Sequence, residues 1–142
     1  MAVLRYPLAY IVTAVVFAAI DFIWISWATP KLYQPEIGEL LSPTVRPIPA
    51  VLFYLIYVLA MTGLCVLPGI AARSWSKAAT SGLLLGLAAY AAYDLTNQAT
   101  LKLWSTKVTI ADLCWGAFAT AAASAAAVMI CGAILQTRET AA

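Results

Sequence analysis

Four stretches of about twenty mostly apolar residues, at roughly 8–29, 48–68, 76–96 and 109–135, take up most of this 142-residue chain. About 20 apolar residues is the length a helix needs to cross a hydrocarbon core. Inside that core the backbone must satisfy its own N–H and C=O groups, which a helix does. The pattern predicts an all-α integral membrane protein with one domain over residues 1–142. Four transmembrane helices form a compact bundle, and both termini lie on the same side. Composition agrees, with 64% hydrophobic and 10% charged residues, where a soluble domain carries about a quarter charged. Arg5 and the run after it imitate a signal peptide, but an apolar signal core is about 7–15 residues long. This run is longer and is read as a span that stays.

Prolines punctuate the boundaries. Pro7 and Pro47 stand where a helix can start, Pro30 and Pro68 where one is expected to stop. The first connection, 30–47, holds Pro30, Pro35, Pro43 and Pro47 with Glu36 and Glu39. It reads as a stiff polar loop with room for one short helical turn. The second, around 71–75, is tight, and the third, 96–108, is amphipathic at best. The end bearing the first and third connections is the loop face. Arg5, Arg73, Lys77 and Arg138 stand on the terminal face against Lys31, Arg46, Lys102 and Lys107 on the loop face. That is a tie under the positive-inside rule. The termini are placed in the cytoplasm because Lys102 can be held within the protein and two Glu offset the first loop.

The chain has no histidine, which excludes histidine-ligated haem, di-iron histidine clusters, a Ser-His-Asp triad and a histidine proton shuttle. No basic run offers a footprint for nucleic acid. Cys65, Cys114 and Cys131 lie in apolar segments without CxxC spacing and read as packing residues. No metal or cofactor is expected.

Depth organises the few polar groups. Asp21, Asp94 and Asp112 all lie inside or at the edge of a span, whereas every Glu lies in a loop or the tail. Asp21 is roughly 12 Å below the loop-face end of its helix. Asp94 and Asp112 are within a turn of that face, and Tyr54 and Tyr57 reach a depth similar to Asp21. In the third span Gly82, Gly86, Tyr90 and Asp94 share one stripe, with Asn97 a turn beyond. The GxxxG step draws that stripe towards a neighbouring helix. The fourth span offers Ala117, Thr120, Ala121, Ser124 and Ala125 as the complement. A carboxylate at the membrane centre costs about 2.5–3.5 kcal/mol. Asp21 is therefore expected to be neutral, paired with Lys102 or Arg46, or facing a hydrated cavity.

Ordinary explanations compete. Asp94 and Asp112 can be caps, and Thr109 with Asp112 imitates a capping box. Tyrosines often only pack. Trp24, Trp27, Trp104 and Trp115 crowd the loop face as an aromatic belt would, although rings in one leaflet can also line an amphiphile pocket. Asp-x-x-Trp occurs at Asp21–Trp24 and Asp112–Trp115, each pair on one helical face, but chance recurrence suffices to explain it.

The segment from Tyr90 to Trp104, with Tyr-Asp-Leu-Thr-Asn at Tyr93–Asn97, and the Asp112-Leu-Cys-Trp-Gly116 motif resemble domain-of-unknown-function family 2177, small bacterial membrane proteins. Asp21-Phe-Ile-Trp24 and Phe53-Tyr54-Leu-Ile-Tyr57 extend the similarity over nearly the whole chain. The resemblance implies a compact four-span protein of the bacterial inner membrane and supplies no reaction.

Three functions fit these residues. The first is a one-sided intramembrane site that binds or processes a lipophilic or amphipathic small molecule. Asp21, Asp94 and Asn97 would meet its polar head, Lys102 would balance charge, and Tyr54, Tyr57, Trp24 and Trp115 would line the wall, with Tyr90 and Asp112 at the same level. A carboxyl there could act as general acid or base. The second is a structural or assembly subunit of a membrane complex, as a homo-oligomer or with another membrane protein. The third is a proton-coupled carrier of a small solute using Asp21. The one-sided placement ranks the first ahead.

Overall fold

In the computed structural model, which describes residues 2–140 and the side chains of 5–136, every long segment is helical. Helix α1 is Ala2–Ala28, followed by a π turn at Thr29–Tyr33, a short α2 at Gln34–Ile37 and a 3₁₀ turn at Gly38–Leu40. Helix α3 (Pro47–Met61) runs through a second π turn, Thr62–Val66, into α4 (Leu67–Ala71). The long helices α5 (Trp75–Thr100) and α6 (Thr106–Thr140) complete the chain. Three rods, the first two and α6, are long and apolar enough to cross a membrane. Helix α5 is as long, about 39 Å at 1.5 Å per residue, but its glycines and polar groups lower its hydropathy. The four together make the expected all-α bundle. Arg138, counted among the basic residues above, lies outside the described side chains.

Pairing of the helices follows from small residues. Gly82 and Gly86 on α5 are buried against α6. A Cβ on Gly82 would stand 2.7 Å from the Thr120 carbonyl oxygen, and one on Gly86 would run into the Gly116 backbone. Gly116 in turn lies under the Tyr90 ring. Backbone-to-backbone approach of this kind substitutes for the hydrophobic drive that membrane helices lack. Helix α1 presents Ala9, Thr13, Phe17 and Asp21, all buried and four residues apart, to the interior. The Thr13 hydroxyl is satisfied on its own helix by the Ala9 carbonyl at 2.7 Å.

Two apolar layers fix the topology. Ala9, Val66, Ala78, Ala127 and Cys131 pack together, joining the start of α1, the end of the second rod, the start of α5 and the far part of α6. Only an alternating up-and-down arrangement brings these together. Above them Phe17, Tyr57, Val58, Met61, Ala119 and Ala123 form the middle layer. Asp21, Tyr54, Tyr90 and Asp112 lie at the remaining end.

Several expected boundaries move. Pro7 lies inside α1, near enough to its start that the missing N–H costs a single bond. Pro30 and Pro68 do not stop their helices. Pro30 falls within the first π turn and Pro68 at the first turn of α4, directly after the second. Each turn closes by a bond to the fifth preceding carbonyl, Gln34 N–H to Thr29 and Leu67 N–H to Thr62. Widening to a π turn gives the ring room and absorbs the missing donor. Pro47 does open a helix, after an extended Arg46. The third connection shrinks to residues 101–105, because α5 continues to Thr100 and α6 begins at Thr106. Thr109 already bonds through its N–H to Ser105 O at 3.2 Å, so it is no N-cap. Asp94 and Asp112 each lie more than a turn inside their helices, and neither caps.

Helix stability in detergent will discriminate between the glycines. Gly86→Ala is expected to lower unfolding stability by about 1–3 kcal/mol, as overpacking does. Gly63→Ala, where nothing lies within 4 Å of the new Cβ, should be neutral or stabilising by up to ~1 kcal/mol. Equal effects would contradict the α5–α6 contact. Arg73 carries φ 49° at the end of α4; Arg73→Gly should gain about 1 kcal/mol, readable in the same melts.

Candidate functional site

The end of the bundle opposite the Ala9–Cys131 layer encloses a cavity of about 330 Å³. Asp21, Trp24 and Ile25 of α1 form one wall, and Ala50, Phe53 and Tyr54 of α3 the next. Tyr90 and Tyr93 of α5, Trp104, and Val108 and Asp112 of α6 close the far side. The segment after α1 lies over it as a strap, contributing Tyr33, Ile37 and Leu41. Ile25, Phe53 and Tyr93 are exposed on the outside of the bundle while lining this space, so the cavity has a lateral rim of apolar and aromatic side chains.

The acids are held by neutral aromatic donors. Asp21, facing inward on the α1 stripe, accepts from the Tyr54 hydroxyl on one oxygen and from Trp115 Nε1 at 3.3 Å on the other. Trp115 is stacked on Trp24, with ring centroids 4.5 Å apart and planes 7° from parallel. Trp24 Nε1 donates to the Tyr33 hydroxyl at 2.9 Å, and that hydroxyl donates to Asp112 Oδ1 at 2.7 Å. A relay thus crosses from α1 through the strap to α6. A buried acceptor left without a donor costs about 1–3 kcal/mol, so the Tyr54 and Trp115 donors offset part of the cost of placing Asp21 at this depth.

The strap is latched from outside. Glu36 accepts from Ser105 Oγ at 2.6 Å and from Lys107 Nζ at 2.7 Å. Ser105 also receives the Lys107 N–H at 3.2 Å, starting α6. Lys107 is well exposed, so the ion pair adds registration more than stability.

Of the residues singled out in the sequence, Asp21, Trp24, Tyr54, Tyr90 and Asp112 line the cavity together. Trp115 stands behind them as donor and stacking partner. Tyr57 lies deeper, its ring 5.3 Å from Phe17 and 5.2 Å from Phe53, its hydroxyl 2.8 Å from Thr120 Oγ1. It joins the apolar layer below the cavity. Asp94 is fully buried between helices, with no hydrogen bond to either carboxyl oxygen among the described residues, and it does not line the cavity. Asn97 is half-buried beyond it. Lys102 and Arg46 are exposed, so the expected counter-charge to Asp21 is replaced by Tyr54 and Trp115. The short loop at 101–105 directs Lys102 outward and leaves the inner contact to Trp104, whose Nε1 donates to Thr109 Oγ1 at 3.0 Å. Tyr33 and the Glu36–Lys107 latch are not singled out in the sequence reading, Tyr93 enters it only through the family motif, and Trp104 only through that motif and as one of the loop-face tryptophans. The spacing Tyr33 to Glu36 across one helical turn was the available signal. Among the described residues no three His, Cys, Asp or Glu converge on one metal position.

No curated protein and no solved structure matches the chain. A family model does, over residues 6–129, with the description "Predicted membrane protein (DUF2177)". That span includes most of every rod, both aspartates of the cavity and the strap between them, and the chain belongs to this family of membrane proteins.

Proposed function

We propose that the cavity binds an amphipathic small molecule taken up from one leaflet, with its polar head at Asp21 and Asp112 and its apolar part leaving past Ile25 and Phe53. The carrying observation is the joint lining of one open cavity by two buried carboxyl groups and a wall of aromatic rings. Small-molecule sites combine mostly apolar walls with a few placed polar groups, and this one has that composition. A lateral rim suits a ligand dissolved in lipid. Whether chemistry follows binding depends on the acids: Asp112 and Tyr33 share a hydrogen bond at the cavity wall, the arrangement a general acid and its relay would use.

A purely structural subunit would favour a dry end with every carboxyl paired, and the open space speaks against it. A solute carrier needs a second opening, and the terminal half is packed with Ala9, Val66, Ala78, Ala127 and Cys131. In this reading the protein sits in a bacterial inner membrane with both termini in the cytoplasm. With Lys107 paired to Glu36, Lys31, Arg46 and Lys102 carry the loop face's positive charge without an ion pair among the described residues. Impermeant thiol labelling of single cysteines on a background lacking the native three tests this: Lys102→Cys should label from outside intact cells and Arg73→Cys only after lysis. The reverse pattern would invert the orientation.

Filling the cavity tests binding itself. Ala50 lies on its wall. Native mass spectrometry of protein extracted in mild detergent should show a retained amphiphile that Ala50→Trp abolishes without lowering the melting temperature. Wild-type protein free of any retained or added amphiphile under these conditions would contradict the proposal.

A further inference from the structure

We propose that the head group recognised here is cationic, so that the ligand is an amphiphile carrying an ammonium group. This inference rests on the amphiphile reading above and adds the chemistry of the polar end.

Charge is the first ground. Asp21 and Asp112 are 4% and 6% exposed and both line the cavity, and no Lys or Arg lines it. Lys107 is committed to Glu36, and Lys31 stands 6.0 Å above the Trp27 ring. The donors that reach the two aspartates are phenols and indoles, which bring no positive charge. Unlike charges attract strongly in a medium of low dielectric constant, and a buried charge left without a counter-charge is costly. A protonated acid avoids that cost; for an ionised one an anionic head would raise it and an ammonium group offsets it.

The second ground is an unused acceptor. Each oxygen of Asp21 has a donor, but Asp112 receives only Tyr33, on Oδ1. Among the described residues no donor reaches its Oδ2, although the side chain is more than nine-tenths buried and forms part of the cavity wall. The hydroxyl of Tyr90, another residue of the cavity lining, has no hydrogen-bond partner among the described residues either. An ammonium N–H would occupy the free oxygen. A quaternary head would instead use the aromatic lining, which includes Tyr33 and Tyr54, since aromatic faces attract cations within about 6 Å. The same walls serve both members of the class.

Tryptophan quenching by brominated dodecyl chains tests the assignment, with wild-type protein in neutral maltoside micelles. Three heads on the same chain are compared: trimethylammonium, carboxylate and maltoside. The trimethylammonium chain should bind about tenfold or more tighter than the other two, the factor one good cation–aromatic contact supplies. Asp112→Asn should shrink that preference, and Asp112→Glu should restore part of it. If the asparagine variant does not fold, the wild-type comparison decides alone. Equal affinities for all three heads would overturn the cationic assignment and leave the amphiphile site standing. Absence of quenching by every chain would overturn both. Tetramethylammonium chloride distinguishes a lipid-borne head from a free cation. Weak competition by the salt supports the amphiphile, whereas competition as strong as the dodecyl compound's would assign a free cation and overturn the proposal.

Discussion

Asp21, on the inner stripe of a membrane helix, finds donors for both of its oxygens where the surrounding hydrocarbon offers none. Asp21 continues the four-residue repeat Ala9, Thr13, Phe17, so its direction is fixed by the packing of α1 and cannot be turned towards lipid. Tyr54 has to come from α3 and Trp115 from α6 to meet it. Those two contacts set the distance between three helices at this end. Trp115 then stacks on Trp24, Trp24 holds Tyr33, and Tyr33 holds Asp112. One buried acid thereby determines the position of a strap that continues the first helical rod.

The two ends of the bundle use opposite means of cohesion. At the terminal end and along α5–α6, alanine, glycine and cysteine let backbones approach closely, and Gly86 against Gly116 is the tightest point. At the loop end large rings and hydroxyls hold the helices apart and leave a volume between them. The change occurs where Tyr90 lies over Gly116, one turn above Gly86 on the same stripe of α5. Close packing below and aromatic spacing above are consequences of one residue pattern on one helix face.

Much of this was legible in the sequence. The inward face of α5 follows from Gly82, Gly86, Tyr90 and Asp94 at four-residue spacing. The strap was not legible, because prolines read locally are stops. Pro30 and Pro68 continue as helix only because π turns give their rings room, a backbone adjustment without a residue signature. The partner of Asp21 was also misread. Charge counting favours Lys102 or Arg46, but an acid at this depth is reached more readily by tyrosine and tryptophan, which carry a donor on an apolar body. The useful cation, Lys107, acts at the edge, where its charge stays in water and only its alignment of Glu36 matters. Tyr57 fell below the cavity because its hydroxyl found Thr120 first.

The central claim is that the loop end holds an occupied space around Asp21 and Asp112, open sideways to lipid. A side-chain-resolution density map of the protein reconstituted in lipid tests it directly. The account predicts elongated density between α1 and α3, its compact end within hydrogen-bonding distance of Asp112 and its tail passing Phe53. A cavity closed by the inward movement of Tyr33 and Tyr90, with both carboxyl groups fully paired to protein and no density between the helices, would contradict it.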